Sequence, residues 1–170
     1  MNLTQKEKML LKDQKKHEKV CIEKYTNYAQ QAQDPQLKNL FSNYASQEKQ
    51  HLNTINQILN GSVPQQMGGQ NQSQNQNNQQ QNQQQYNQQK MQGQNNQGNE
   101  AGMTNQNDAK LCDDLLMTEK YVSGTYDTAI FECADSNVRN ALNHIQKEEQ
   151  QHGEGIFNYM QQNGMYSPQQ

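Results

Sequence analysis

The chain has 170 residues, 14 basic and 17 acidic, for a net charge of -3, and only 30% of it is apolar, where an ordinary globular chain has about 45–50%. No run of about 18 apolar residues occurs, which excludes a membrane-spanning helix, and the opening MNLTQKEKMLLKDQKKHEKV has no long apolar core, so synthesis in the cytoplasm without a signal peptide is expected. A mildly acidic balance without an Arg-rich tract argues against nucleic-acid binding, and Cys21, Cys112 and Cys133 form no C-x-x-C pair, which argues against a zinc ribbon, a rubredoxin-type iron site and a disulfide scaffold.

Residues 1–61 read as a helical hairpin. Leu11, Glu18, Ile22, Tyr25, Ala29 and Ala32 recur at helical steps, with Lys15 as a polar interruption. After a break, Leu37, Leu40, Phe41, Tyr44, Glu48, His51, Leu52, Ile55 and Leu59 do the same. This is the period of one inward helix face, not strand alternation. At the break, Asp34 can cap a helix whose first residue is Pro35, where a missing N–H costs nothing. Asn60-Gly61 supplies a stop.

Residues 62–107 form a linker. From Gln65 to Asn107, 29 of 43 residues are Gln or Asn, and only Lys90 and Glu100 are charged. Such a stretch cannot bury enough apolar surface to offset its ordering entropy, so disorder is expected. A flexible tether, a self-associating tract and a glutamine donor for cross-linking all fit that composition.

Residues 108–166 read as a second hairpin, with an inward face of Leu111, Leu115, Glu119, Val122, Tyr126, Ala129 and Cys133, then Val138, Ala141, Leu142, Ile145, Glu149, His152, Ile156 and Met160. Asp135-Ser136 offers the cap and Asn163-Gly164 the stop. Shifting residues 108–160 back by 101 positions lays them on residues 7–59 without a gap, matching Glu18 to Glu119, Tyr25 to Tyr126, Asp34 to Asp135, Glu48 to Glu149 and His51 to His152. A duplicated hairpin predicts an all-α four-helix bundle. Residues 1–61 carry +3 and residues 108–170 carry -6, a difference that favours pairing of unlike hairpins.

Glu18, Glu48, Glu119 and Glu149, with His51 and His152, interrupt the apolar stripes, and charge on a core face requires a compensating partner. Glu48 and His51 are three apart and share a helix face, as do Glu149 and His152. Glu18 and Glu48 stand equally far from the first turn, roughly 22 Å along antiparallel helices, and Glu119 and Glu149 flank the second turn in the same way. All four carboxylates therefore meet near mid-bundle. One Glu from each of two helices and Glu-x-x-His from each of two others is the ligand set of carboxylate-bridged dinuclear centres. Four carboxylates balance two divalent ions, and oxygen and imidazole donors suit iron or manganese. Tyr25 and Tyr126 lie two turns beyond Glu18 and Glu119 on the same faces, placed either to hydrogen-bond the ligands or to pack as core aromatics. Cys21 and Cys133 read as buried packing thiols, and His17 and His144 as ordinary polar positions.

The stretch DDLLMTEKYVSGTYDTAIFECADSNVRNALNHIQKEEQQHGEGIFNYMQQNGMY resembles the Coat F domain of bacterial spore coat proteins, through its TEKY segment, its AIFECAD-SNVRN turn, and an E-x-x-H followed by an aromatic-rich end with N-G-x-Y. That resemblance implies a ferritin-like bundle, with a long crossover that sets the first and third helices antiparallel. It also implies a place in the spore coat among other coat proteins, with homo-oligomerisation left open. Two functions follow as expectations. One is a coat component serving assembly and protection, built on a bundle with a dinuclear metal site. The other is a ferritin-like dimetal redox enzyme, manganese-catalase-like or iron-oxidising.

Overall fold

In a computed structural model of the chain, residues 2–63 and 105–166 are described, and the expected linker at 62–107 lies outside them except for its ends, 62–63 and 105–107. The first helix, α1 (Gln5–Gln31), starts where Thr4 and Glu7 close a reciprocal capping box: Glu7 N–H donates to Thr4 Oγ1 at 3.2 Å, and Thr4 N–H donates to Glu7 Oε2 at 2.6 Å. The second helix, α2 (Pro35–Leu59), is capped by the Asp34 side chain with Pro35 in its first turn, as the sequence predicts. The third helix, α3 (Gln106–Glu132), begins with Asn105 accepting from the N–H groups of Asn107 and Asp108, so helix starts two residues before the expected hairpin boundary. The fourth, α4 (Ser136–Gln162), is capped by Asp135. Gly61 (φ 88°) and Gly164 (φ 66°) take the left-handed conformation just beyond α2 and α4, where any other residue would be strained. No strand occurs among the described residues.

α1 packs on α2 and α3 on α4, while α1 also faces α3 and α2 faces α4. The pairing of α1 with α3 is antiparallel: Lys6 meets Glu132, Gln14 meets Thr125 and Lys24 meets Asp114. So is that of α2 with α4, where His51 meets Glu148 and Gln47 meets His152. α3 starts beside the α1–α2 turn, with Asn105 and Asn107 bonded to Gln33 and Gln31. α2 ends roughly 36 Å away, at 1.5 Å per residue. The connection from Val63 to Asn105 therefore joins opposite ends of the bundle, as a crossover requires.

The first and second hairpins clasp each other's turns. Both oxygens of Asp108 accept N–H groups of the first turn, from Gln33 and Asp34 at 2.9 Å each. At the other end Glu7 Oε1 accepts Ala134 N–H at 2.8 Å. That bond, with those from Thr4, holds the Glu7 carboxyl below its ordinary range. Lys6–Glu132 and Lys24–Asp114 pair basic first-hairpin residues with acidic second-hairpin ones. These partly exposed pairs contribute only about 0–1 kcal/mol each, so charge complementarity orients the hairpins and apolar burial holds them. Leu37, Phe41, Leu115, Ile156 and Met160 fill the core towards the first turn, and Leu11, Ile55, Ile58, Leu142 and Ile145 fill it towards the second, all fully buried. Each contributes about 1.5–3 kcal/mol by leaving water. They close the mid-bundle level above and below.

The inward stripe of α1 runs slightly differently from the sequence expectation. Cys21 is fully buried while Ile22 is only partly so, and the polar interruption is Gln14 rather than Lys15. Gln14 is tolerated because its amide donates to Thr125 O at 3.0 Å and accepts from Thr125 Oγ1 at 3.0 Å.

Candidate metal centre

The helical period brings Glu18, Glu48, His51, Glu119, Glu149 and His152 to one level, each no more than 2% exposed. Their ligand atoms form two overlapping sets. Glu18, Glu48, His51 and Glu149 make one, and Glu48, Glu119, Glu149 and His152 the other; within each, the atoms lie within 4.8 Å of one another. Glu48 and Glu149 belong to both. His51 Nδ1 lies 2.9 Å from Glu149 Oε1 and 3.5 Å from Glu18 Oε2 and from Glu48 Oε2. His152 Nδ1 lies 2.9 Å from Glu48 Oε1, 3.8 Å from Glu119 Oε1 and 4.0 Å from Glu149 Oε2.

Six buried atoms there have no hydrogen-bond partner: Glu18 Oε2, Glu48 Oε2, His51 Nδ1, Glu119 Oε2 and both Glu149 oxygens. A buried carboxylate oxygen without a hydrogen bond is costly; His51 Nδ1 and Glu149 Oε1 offset one another as an ion pair at 2.9 Å, and the other four atoms belong to residues of the same two sets. Burial, before any other cause, pushes the Glu18 and Glu149 carboxyls up to about 7. Glu48 and Glu119 rise too, from burial first and from their acidic neighbours next. Burial pulls on both imidazoles. It takes His152 down to about 4, whereas at His51 the Glu148, Glu149, Glu18 and Glu48 carboxylates outweigh it and hold the ring protonated. A site that in itself favours protons on oxygen and on one ring is a site short of positive charge. Divalent ions would supply it.

The surrounding groups fix these side chains across the hairpins. Tyr25 OH donates to Glu119 Oε1, and Tyr126 OH donates to Glu18 Oε1; between packing and bonding the ligand carboxylates, the two tyrosines do both. Burial, then the nearby Glu carboxylates, raises both phenols, which keeps them donors. The outer nitrogens are anchored as well: His51 Nε2 sits 2.8 Å from Glu148 Oε2, and His152 Nε2 sits 2.6 Å from Gln47 Oε1. With Nε2 anchored, Nδ1 is the nitrogen that faces the carboxylates and, once the ring is neutral, the one whose lone pair an ion would take. The Tyr44 ring lies on that of His152, centroids 4.3 Å apart. Its hydroxyl occupies the space that a side chain at Gly155 would need, 1.8 Å from the position of a Cβ there. The Cys21 thiol beside the cluster is raised by burial and then by the four carboxylates, so it packs as a neutral group. Cys112 and Cys133 are also free and buried.

Glu148, Gln47, Glu7 and Asp108 escape a reading by inward stripes. Glu148 and Gln47 stand one residue off the stripe and act across the α2–α4 interface. The repeat offset of 101 was the available signal, since it superposes Glu7 on Asp108 and Gln47 on Glu148.

Residues 107–169 match the family model of the Coat F domain, a span that covers the second hairpin. No curated protein and no solved structure matches the chain.

Proposed function

We propose that the chain is a component of the bacterial spore coat whose bundle holds two divalent transition-metal ions. The observation that carries the coat assignment is the Coat F match over residues 107–169. It supports a place among other coat proteins and a role in assembly and protection. The metal assignment is supported by the convergence of unpartnered buried donors on two overlapping ligand sets. Glu18 and His51 would hold one ion, Glu119 and His152 the other, and Glu48 and Glu149 would serve both. Four carboxylates offset two divalent charges, and the donor types suit manganese or iron. Within the bundle, Tyr25 and Tyr126 orient the Glu119 and Glu18 carboxylates, the anchored imidazoles aim Nδ1, and the apolar layers exclude water. The ligand placement and the crossover together support a ferritin-like reading of the bundle.

The sharing of Glu48 and Glu149 also favours a second reading, a dimetal redox protein acting on peroxide or iron. Bound as a pair, iron or manganese ions supply Lewis acidity and two electron equivalents at one place.

A fluorescent fusion of the full chain, produced in a sporulating bacterium beside its Glu48→Gln/Glu149→Gln double variant, tests both assignments. Both fusions should collect at the spore periphery, and only the unsubstituted chain should retain metal when purified. A fusion spread evenly through the cell contradicts the coat role, and equal metal in both proteins contradicts the site. Peroxide consumption or iron oxidation by the metal-loaded chain alone would move the assignment to the redox reading.

A further inference from the structure

The duplication makes the two ligand sets chemically alike, so any difference between them must come from what surrounds them. The offset of 101 exchanges Glu18 with Glu119, Glu48 with Glu149 and His51 with His152, and it exchanges Tyr25 with Tyr126. The hydrogen bonds obey that exchange, since each tyrosine holds the outlying carboxylate of the opposite hairpin. The same operation carries Gln47 onto Glu148 and Tyr44 onto Ile145, and here the symmetry breaks. Behind His51 stands a carboxylate, Glu148 Oε2 at 2.8 Å from Nε2. Behind His152 stands an uncharged amide, Gln47 Oε1 at 2.6 Å, with the Tyr44 ring tilted against the imidazole, centroids 4.3 Å apart.

From this we infer that the two ion positions are unequal and fill in order, the His51 position first and tightly, the His152 position second and weakly. The inference rests on the proposed dinuclear site. A carboxylate accepting from the outer N–H makes an imidazole a stronger donor than an amide does, and outer partners of this kind change metal affinity by roughly 10–100-fold. Charge acts in the same direction. The His51 position is surrounded by Glu18, Glu48, Glu149 and Glu148, the His152 position by Glu119, Glu48 and Glu149. A proton competing for the same nitrogen feels the extra charge half as strongly as a divalent ion does. His144, whose Nε2 is 3.5 Å from Glu148 Oε1, is the other group beside that carboxylate; it steadies Glu148 without reaching the ligand cluster. The weaker position is then the one whose ion exchanges, whether the second metal is a resident or a substrate.

The test is a Mn²⁺ titration of the chelator-stripped full chain at constant pH, followed by calorimetry and by the paramagnetic resonance signal of free Mn²⁺. The expected result is two binding steps separated by roughly 10–100-fold. Glu119→Gln should retain one ion at the tighter affinity, and Glu18→Gln one ion at the weaker. Glu148→Gln should weaken the first step by roughly 10–100-fold and leave the second in place, while Gln47→Glu should tighten the second. Circular dichroism establishes that each variant is helical, and Gln47→Glu reads the effect independently should Glu148→Gln unfold. Two equal steps in the unsubstituted chain, or a Glu148→Gln change that shifts both steps alike, overturns the inference and leaves the dinuclear site standing. No Mn²⁺ binding at all overturns the dinuclear site and the inference with it.

Discussion

In the first hairpin, Glu18, Glu48 and His51 stand on helices with a net charge of +3; in the second, Glu119, Glu149 and His152 stand on helices with -6. Only the second falls within the Coat F match. Many outward positions differ between the two, while the inward acidic and imidazole positions agree residue for residue. The reason is physical. A surface charge costs little whatever its sign, but a carboxylate buried without a partner is very costly, and each carboxylate finds its nearest partner in the other hairpin: Tyr126 for Glu18, Tyr25 for Glu119, His152 for Glu48 and His51 for Glu149. Each hairpin is half of a site, and neither half makes electrostatic sense alone.

The largest expected effect breaks that sharing. Glu48→Gln and Glu149→Gln each remove a carboxylate common to both ligand sets, so either should cost the chain both ions, whereas Glu18→Gln and Glu119→Gln should each cost one. Elemental analysis of protein purified without a histidine tag decides it. Equal losses across all four variants would show that Glu48 and Glu149 are not shared.

Next in size is the topology that lets the hairpins meet. Deleting residues 68–100 leaves eight residues between Val63 and Asn105, a reach of at most about 32 Å. The ends to be joined lie roughly 36 Å apart. Size-exclusion chromatography should show hairpin exchange into dimers or loss of the fold. Gly/Ser of equal length in place of the deleted stretch should leave a monomer like the parent.

A third prediction concerns pH. The Glu18 and Glu149 carboxyls, raised from 4.5 to about 7, gain protons on folding. Their contribution to ion-free stability is complete below about 4.5 and is lost as pH rises through about 7. Glu48 and Glu119, also raised, act in the same direction. His152, lowered from 6.5 to about 4, and Glu148, held below its ordinary value, act in the opposite direction and lose their contribution as pH falls. His51, raised from 6.5, acts with the carboxyls, because its folded ring keeps a proton that the unfolded ring loses. Above about pH 6.5 the raised carboxyls and His51 set the trend, so the chelated protein should melt lower at about pH 8 than at about pH 6. Saturating Mn²⁺ should reverse the trend. A site held at a hundredfold excess over its Kd adds about 2.7 kcal/mol. Equal melting temperatures with chelator and with Mn²⁺ at neutral pH would mean a bundle that keeps the ligands but works unloaded.

The smallest effect compares the two turn clasps. Asp108→Ala leaves the Gln33 and Asp34 N–H groups without their acceptor, and Glu7→Ala leaves that of Ala134. Urea titration should place the first at about 1–3 kcal/mol and the second lower, since one inter-hairpin bond is lost instead of two. Equal costs would assign the Glu7 effect to its capping box.

The helix ends, the common level of the six candidate ligands and the crossover were legible because each rests on something periodic or local. Asp34-Pro35 and Gly61 act through their own backbone, and the 101-residue offset fixes the level of the six buried acidic and imidazole side chains. The roles of Glu148, Gln47, Asp108 and Glu7 were hidden because each acts on the other hairpin from beside the inward stripe, and a stripe records burial without recording what lies across the interface. Cys21 displaced Ile22 from the core for a related reason: a helix drifts against a fixed step, and the partner helix decides which neighbour ends inside.

The central claim is that two ions sit between the hairpins and share Glu48 and Glu149. Anomalous diffraction at the manganese edge, from crystals of the Mn²⁺-loaded full chain, tests it most directly. Two peaks are predicted, one among Glu18, Glu48, His51 and Glu149, the other among Glu48, Glu119, Glu149 and His152. Manganese found only at surface carboxylates, with Glu48 and Glu149 still paired to the imidazoles, would contradict it.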